Sequence, residues 1–209
     1  MRYGKKIIVW HECYVKGGSD WSIIDILTNW PNKNDKFDFF VNKKHQGIKL
    51  LKKYLYKKSN FNFYSSVIER LKILEKNKIF FYLLKIFIIR KLIGIMILIL
   101  SFFTIHKKIK NKKSDFILIN NGGYPGGLSS YLVIFSAFLL KKKTAMIIRN
   151  YPPCNYKKSI TMVITKFIIQ KFHCNIIAVS NSLKKSLVVD GGLQKEKIKV
   201  IYNGISIEN

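Results

Sequence analysis

Residues 175–206 read NIIAVSNSLKKSLVVDGGLQKEKIKVIYNGIS, and they hold one complete structural unit. A short apolar, β-rich run, Ile176 to Val179, is followed by a Ser/Asn cap (Ser180, Asn181, Ser182) and a short helix that breaks at Gly191-Gly192. A charged link then leads to a second apolar run, Ile198 to Tyr202, closed by Asn203-Gly204. Strand, helix and strand within about thirty residues make the βαβ unit of a parallel sheet.

Upstream, the same alternation recurs. Thr144 to Arg149 reads as a strand running into Asn150-Tyr151-Pro152-Pro153, and Ile160 to Phe172 as a helix. Phe116 to Asn120 is strand-like and enters Asn121-Gly122-Gly123-Tyr124-Pro125-Gly126-Gly127 before a helix opened by Ser129 and Ser130. At the start, Ile7 to Trp10 is a compact strand, followed by the loop His11 to Asp20, after which Trp21, Ile23, Ile24 and Leu27 recur at helical spacing. Phe37 to Val41 is the second strand and Gly47 to Lys57 a basic helix. About six such repeats predict an α/β fold: a Rossmann-like parallel sheet with helices on both faces.

A strand, a glycine-rich loop and a helix present free backbone N–H groups and a helix dipole to an anion. Gly17 and Gly18 are therefore candidate binding residues, the alternative being a tight turn with Ser19 or Asp20 as a plain cap. In the second loop four glycines and a proline exceed what a turn needs, which makes Gly122, Gly123 and Tyr124 candidates for contact with whatever fills the cleft. Neither G-x-G-x-x-G nor G-x-x-x-x-G-K-[ST] occurs, so nicotinamide and ATP enzymes are disfavoured.

Phe80 to Ile109 contains no acidic residue. Its longest uncharged run, Leu92 to Ile105, is fourteen residues; as a helix it spans about 21 Å against roughly 30 Å of bilayer hydrocarbon, which argues against a transmembrane span. Lys85, Arg90 and Lys91 fall on different sides of a helix. The expectation is an interfacial segment with snorkelling basic side chains, against the plainer reading of a buried helix with basic ends.

The chain has 209 residues, enough for one domain with a proper core. Its formal charge of +27, from 38 basic and 11 acidic residues, fits nucleic acid or an anionic membrane surface. Lys, Ile, Asn and Phe are abundant together, as a drift toward A and T would produce, so part of that charge need carry no function. The positive residues are interleaved with aliphatic runs, and no nucleic-acid motif is readable. Cys13, Cys154 and Cys174 are far apart and form no Cys-x-x-Cys pair, which argues against disulfides and zinc and fits a reducing compartment. The N-terminal apolar run is too short for a signal-peptide core, so a cytosolic protein is expected. No metal constellation appears: His11, His45, His106 and His173 show no paired spacing. His11, at the end of the first strand, falls at the cleft edge by the logic of the fold and is a candidate, although a lone His is more often structural.

The pattern A-V-S-N-S, short helix, D-G-G, K-I-K-V-I-Y-N-G-I resembles the end of the N-terminal domain of family 4 glycosyltransferases of the GT-B fold. There the last strand ends in an Asn-Gly turn and the chain crosses a hinge into the sugar-nucleotide-binding domain. The resemblance covers most of the chain, with a Gly-Gly pair in the first loop facing the cleft where donor diphosphate and acceptor meet, and the N-G-G-Y-P-G-G loop is similar to that of some bacterial surface-polysaccharide glycosyltransferases. It implies roles for Ser180, Asn203 and Gly204 near the cleft. Family members often have a histidine after the strand that here ends in Arg149; Arg149 is suited to an acceptor phosphate, or is a rim charge. The family's Glu pair eight residues apart is absent, and Ser206 stands where an Asp is common.

What the resemblance implies is a glycosyltransferase of hexosyltransferase type, with residues 1–204 as the acceptor-binding half and 205–209 as the start of a hinge to an absent donor domain. A nucleotide sugar is then a substrate, with no metal required, and the acceptor is a saccharide or lipid-linked. The expected location is the cytoplasmic face of a membrane, in surface-polysaccharide assembly, with retention of configuration only as the family implies. The rivals are a basic nucleic-acid-binding protein and a non-catalytic membrane-associated protein.

Overall fold

The computed structural model describes residues 4–76, 87–153 and 160–204. Lys85 and the start of the apolar segment, Cys154, and the expected hinge at 205–209 lie outside the described residues. Seven strands form one parallel sheet in the order β3-β2-β1-β4-β5-β6-β7. In chain order the elements are β1 (Lys6–Glu12), α1 (Gly18–Thr28), β2 (Lys36–Asn42), α2 (Ile48–Leu55), β3 (Ser59–Tyr64), α3 (Val67–Glu75) and α4 (Phe87–Lys110). They continue with β4 (Phe116–Asn121), α5 (Leu128–Leu139), β5 (Lys143–Ile148), α6 (Ile160–Lys171), β6 (Asn175–Ala178), α7 (Asn181–Val189), a single 3₁₀ turn and β7 (Ile198–Val200).

The central strands are apolar at nearly every position because a parallel sheet with helices on both sides is buried on both faces. Their period-two alternation divides the core. Ile8, Trp10, Ile117, Ile119, Met146 and Ile148 pack toward α4, α5, α6 and α7. Ile7, Val9, Phe39, Val41, Leu118 and Ile147 face α1 and α2. The expected Rossmann-like sheet is thus the observed one, with one strand more than the six repeats suggested. The additional strand is β3, an edge strand that pairs with β2 from Phe37↔Ser59 to Asn42↔Tyr64.

Two helices start earlier than their hydroxyl caps suggest. Gly17 precedes α1, where Asp20 Oδ2 accepts from the Gly17 N–H at 3.1 Å, and Gly127, not Ser129 or Ser130, precedes α5. Ser180 does cap α7, accepting from the Leu183 N–H at 3.1 Å.

The apolar segment forms α4, 24 residues long, or about 36 Å. The fourteen-residue uncharged run therefore understates it, and α4 is the one helix among the described residues long and apolar enough to cross a membrane. Here it lies on the sheet: Ile97, Ser101, Ile105 and Ile109 form a buried stripe, while Leu92, Ile95, Met96, Ile99, Leu100 and Phe103 are exposed. Neighbouring ring pairs Phe103–Phe102, Phe102–Phe135, Phe135–Phe172 and Phe172–Phe138 run from α4 across α5 to the residue after α6.

Candidate functional site

Strand order reverses between β1 and β4: the chain winds one way through β2 and β3, then the other way through β5, β6 and β7. Loops leaving β1 and β4 diverge there, which opens a crevice beyond the carboxyl ends of the strands. A cavity of about 680 Å³ occupies this place, lined by the β1–α1 loop, the β4–α5 loop, and Arg149, Asn150, Val179 and Asn203 beyond β5, β6 and β7.

Of the candidates read from sequence, Gly18, Gly122, Gly123, Arg149 and Asn203 line this cavity. Gly17 sits one residue outside it, at the α1 cap. His11 and Tyr124 are buried at 0% and 1% exposure and do not line it. Tyr124 packs beneath Gly191 instead. Ser180 is spent on its cap, and Gly204 is exposed, with nothing among the described residues within 4 Å of where a Cβ would stand.

The glycines divide into two classes. Gly126 has φ +70°, and a Cβ at Gly127 would overlap the Glu12 side chain, so both are required by the fold itself. A Cβ at Gly17 or Gly18 would meet nothing within 4 Å; at Gly122 it would lie 3.8 Å from Cys13 Sγ, and at Gly123 3.5 Å from Asn150 Cβ, ordinary contacts. No packing among the described residues accounts for glycine at these four positions.

Beneath the cavity lies a polar chain that sequence spacing did not reveal. Arg149 donates from Nε (3.2 Å) and Nη2 (3.0 Å) to Asn120 Oδ1. This turns the Asn120 amide nitrogen toward His11 Nδ1, 2.7 Å away. His11 Nδ1 is therefore an acceptor, and the ring proton sits on Nε2, which donates to Asp20 Oδ1 at 2.8 Å. His45 Nε2 lies 2.9 Å from the same oxygen. Burial holds the His11 pKa below the usual imidazole value, despite the Asp20 carboxylate. For His45, burial also acts downward, but its contact with Asp20 outweighs it and the pKa is raised. Burial would raise the Asp20 pKa, yet the two imidazoles and the Gly17 N–H hold it well below the usual carboxylate range.

His11, Asp20 and His45 bring their ligand atoms within 4.8 Å of one another, as a cation site would. The donor set does not fit one well. A metal on His11 Nε2 requires that nitrogen bare and the proton on Nδ1, where it would oppose the Asn120 amide that Arg149 holds in place. Hydrogen bonds to Asp20 hold the cluster together, while His45 Nδ1 is buried with no hydrogen-bond partner among the described residues.

Glu12 forms the cavity floor. The residue is 4% exposed, and its carboxylate accepts from Trp10 Nε1 (2.9 Å), Tyr14 OH (2.8 Å) and Tyr64 OH (2.6 Å). Burial raises its pKa against those three donors. Burial and the nearby Glu12 also raise the Tyr14 and Tyr64 pKa values, which keeps both hydroxyls as donors. Burial likewise pushes up the Cys13 thiol, so it is no activated thiolate. Sequence reading missed Glu12, Asp20, His45 and Asn120. Only their place at or just beyond strand ends marked Glu12 and Asn120.

No protein-family model matches the chain, and no curated protein matches it significantly. Among solved structures, HepE of Anabaena in complex with UDP and glucose is similar at a TM-score of 0.60 and 15% identity, over 96% of this chain and 45% of that one. UDP-GlcNAc 2-epimerase of Neisseria meningitidis, bound to UDP-GlcNAc, is similar at 0.56 and 12%, over 95% and 47%. CalG4, the calicheamicin glycosyltransferase, is similar at 0.52 and 8%, over 99% and 54%. At such identities the likeness establishes the fold, that of one domain of the GT-B architecture. The chain spans about half the length of the structures it matches.

Proposed function

We propose, from the premise that this chain has the architecture of one GT-B domain, that it supplies the acceptor-side half of a nucleotide-sugar-dependent glycosyltransferase similar to family 4. A second lobe closes over the crevice and brings most of the donor site. The observation that carries this reading is the cavity at the strand-order reversal, lined by Gly18, Gly122 and Gly123, which packing among the described residues does not call for. Bare backbone at a cleft is what close approach by a substrate or a facing lobe needs. That HepE was solved with UDP and glucose adds support for a UDP-sugar donor.

Such a transfer needs the acceptor hydroxyl placed against the anomeric carbon and the departing diphosphate steadied, by positioning and electrostatics. Arg149 and the backbone of the two glycine loops supply fixed donors on this side. No metal is invoked. The acceptor is a saccharide or lipid-linked. The exposed apolar side of α4, with Phe138, Leu139, Val163, Ile164 and Phe167 on the neighbouring helices and a net charge of +27, supports peripheral residence on the cytoplasmic face of an anionic membrane.

The test is a radiolabelled transfer assay with UDP-glucose and a panel of nucleotide sugars, on the 209 residues alone and joined to a second GT-B lobe. Transfer is expected only from the joined protein and is lost with Gly122→Val. Conversion of UDP-GlcNAc to its 2-epimer, or robust transfer by the chain alone, overturns the reading.

A further inference from the structure

Arg149 is half-buried, and among the described residues no carboxylate lies within 4 Å of it. Its partners are two neutral amide oxygens: Asn120 Oδ1 on one edge, and Asn203 Oδ1, which accepts from Nη1 at 2.8 Å, on the other. Burial pulls its pKa down, the mark of a charge held where water solvates it incompletely. Neither amide oxygen carries a charge, so an anion would be a stronger partner for this guanidinium than those it now has.

The two edges are not equivalent. The Asn120 edge is fixed from below, because Asn120 is buried and held by His11, and His11 by Asp20. The Asn203 edge is fixed only by an exposed residue that also accepts from Ser22 Oγ at 3.1 Å. That contact is replaceable, and it faces the cavity that Arg149 and Asn203 both line. Nη1 is thus a preset donor whose present acceptor stands in for a ligand oxygen.

We infer that the cavity binds a phosphoryl anion on Arg149 and that a phosphoryl oxygen displaces the Asn203 side chain from Nη1. The choice of a phosphoryl group over other anions rests on the sugar-transfer reading, and its source is either the nucleoside diphosphate of the donor or a phosphate on the acceptor.

Calorimetric titration of the purified chain with inorganic pyrophosphate, UDP and geranyl diphosphate at physiological salt tests this without any turnover. Arg149→Gln is expected to weaken all binding about tenfold or more, the loss of a charge-assisted pair of hydrogen bonds. Lys171→Gln, the same charge change at the end of α6 away from the cavity, is expected to change affinity less than about twofold, which controls for bulk attraction to a basic protein. Asn203→Ala frees Nη1 and is expected to tighten binding about threefold, a sign that a merely structural role for Arg149 would not produce. Preference for UDP assigns the site to the donor, and preference for geranyl diphosphate to the acceptor. The proposal is overturned if none of the three binds, if Arg149→Gln binds no worse than Lys171→Gln, or if Asn203→Ala fails to tighten binding. Should Arg149→Gln not fold, the sign of the Asn203→Ala change decides. Phosphoryl binding without sugar transfer by the joined protein would leave this site standing and sink the transferase reading.

Discussion

Asp20 is the anchor of the buried polar chain, since two imidazoles and a backbone N–H all converge on its carboxylate. Asp20→Asn can keep an oxygen for the two imidazoles only by turning its NH2 on the Gly17 N–H, so that a donor faces a donor in a site shut off from water. The expected cost is about 3 kcal/mol, read as a shifted denaturant midpoint. The two histidines give opposite pH dependences. His11 has a folded pKa below its unfolded value near 6.5, so the unfolded chain gains a proton first as the pH falls through that value and stability drops on the acid side. His45 has a raised folded pKa; its contribution is complete below 6.5 and fades as the pH rises through the elevated value. Unfolding midpoints at about pH 5, 7 and 9 should therefore show a smaller acid loss in His11→Asn and a smaller alkaline loss in His45→Asn. This chain escaped the sequence because its members lie far apart: His11 and Asn120 are 109 positions from each other, and Asp20 and His45 are 25. Arg149 and Asn203 were named through the family resemblance, which pointed to the chain just beyond two apolar runs; both line the cavity.

At the level of elements, the strands that could be read were those buried on both faces, such as β1 and β4, whose apolar runs admit no other role. Ser59–Tyr64 was not readable, because SNFNFY carries polar residues on an edge strand and lies beside an ambiguous apolar segment. The glycine loops were visible as composition, but only coordinates separate the glycines the fold requires from those it does not. Gly127→Ala should lower stability by about 2 kcal/mol, since its Cβ meets Glu12 in a tightly packed site. Gly18→Ala should leave the unfolding midpoint within about 0.5 kcal/mol of wild type. In the joined protein the same substitution should nonetheless impair transfer. Thermal melts beside the transfer assay check the pair, and a Gly18→Ala protein of wild-type activity would remove the reason for a bare backbone there. The length of α4 was hidden for a related reason: charged residues at its ends lie within the helix, so the uncharged run marked only its middle.

For the whole molecule, the exposed apolar side chains of α4, α5 and α6 lie on the layer opposite α1 and α2, joined by the phenylalanine series that crosses them. Sedimentation with vesicles rich in phosphatidylglycerol should carry the protein down, and Ile99→Glu with Phe103→Glu should release it at unchanged ionic strength. Retention by anionic vesicles and DNA alike, abolished by salt and indifferent to these substitutions, would mean that bulk charge alone is responsible. The cavity opens at the carboxyl edge of the sheet, whereas this helical layer runs parallel to the sheet plane. A protein resting on that layer would carry its opening sideways, like the mouth of a drawer above a tabletop. Molecules confined to the head-group zone would then arrive laterally, by two-dimensional diffusion, while freely dissolved ones would reach the opposite side of the mouth from the bulk.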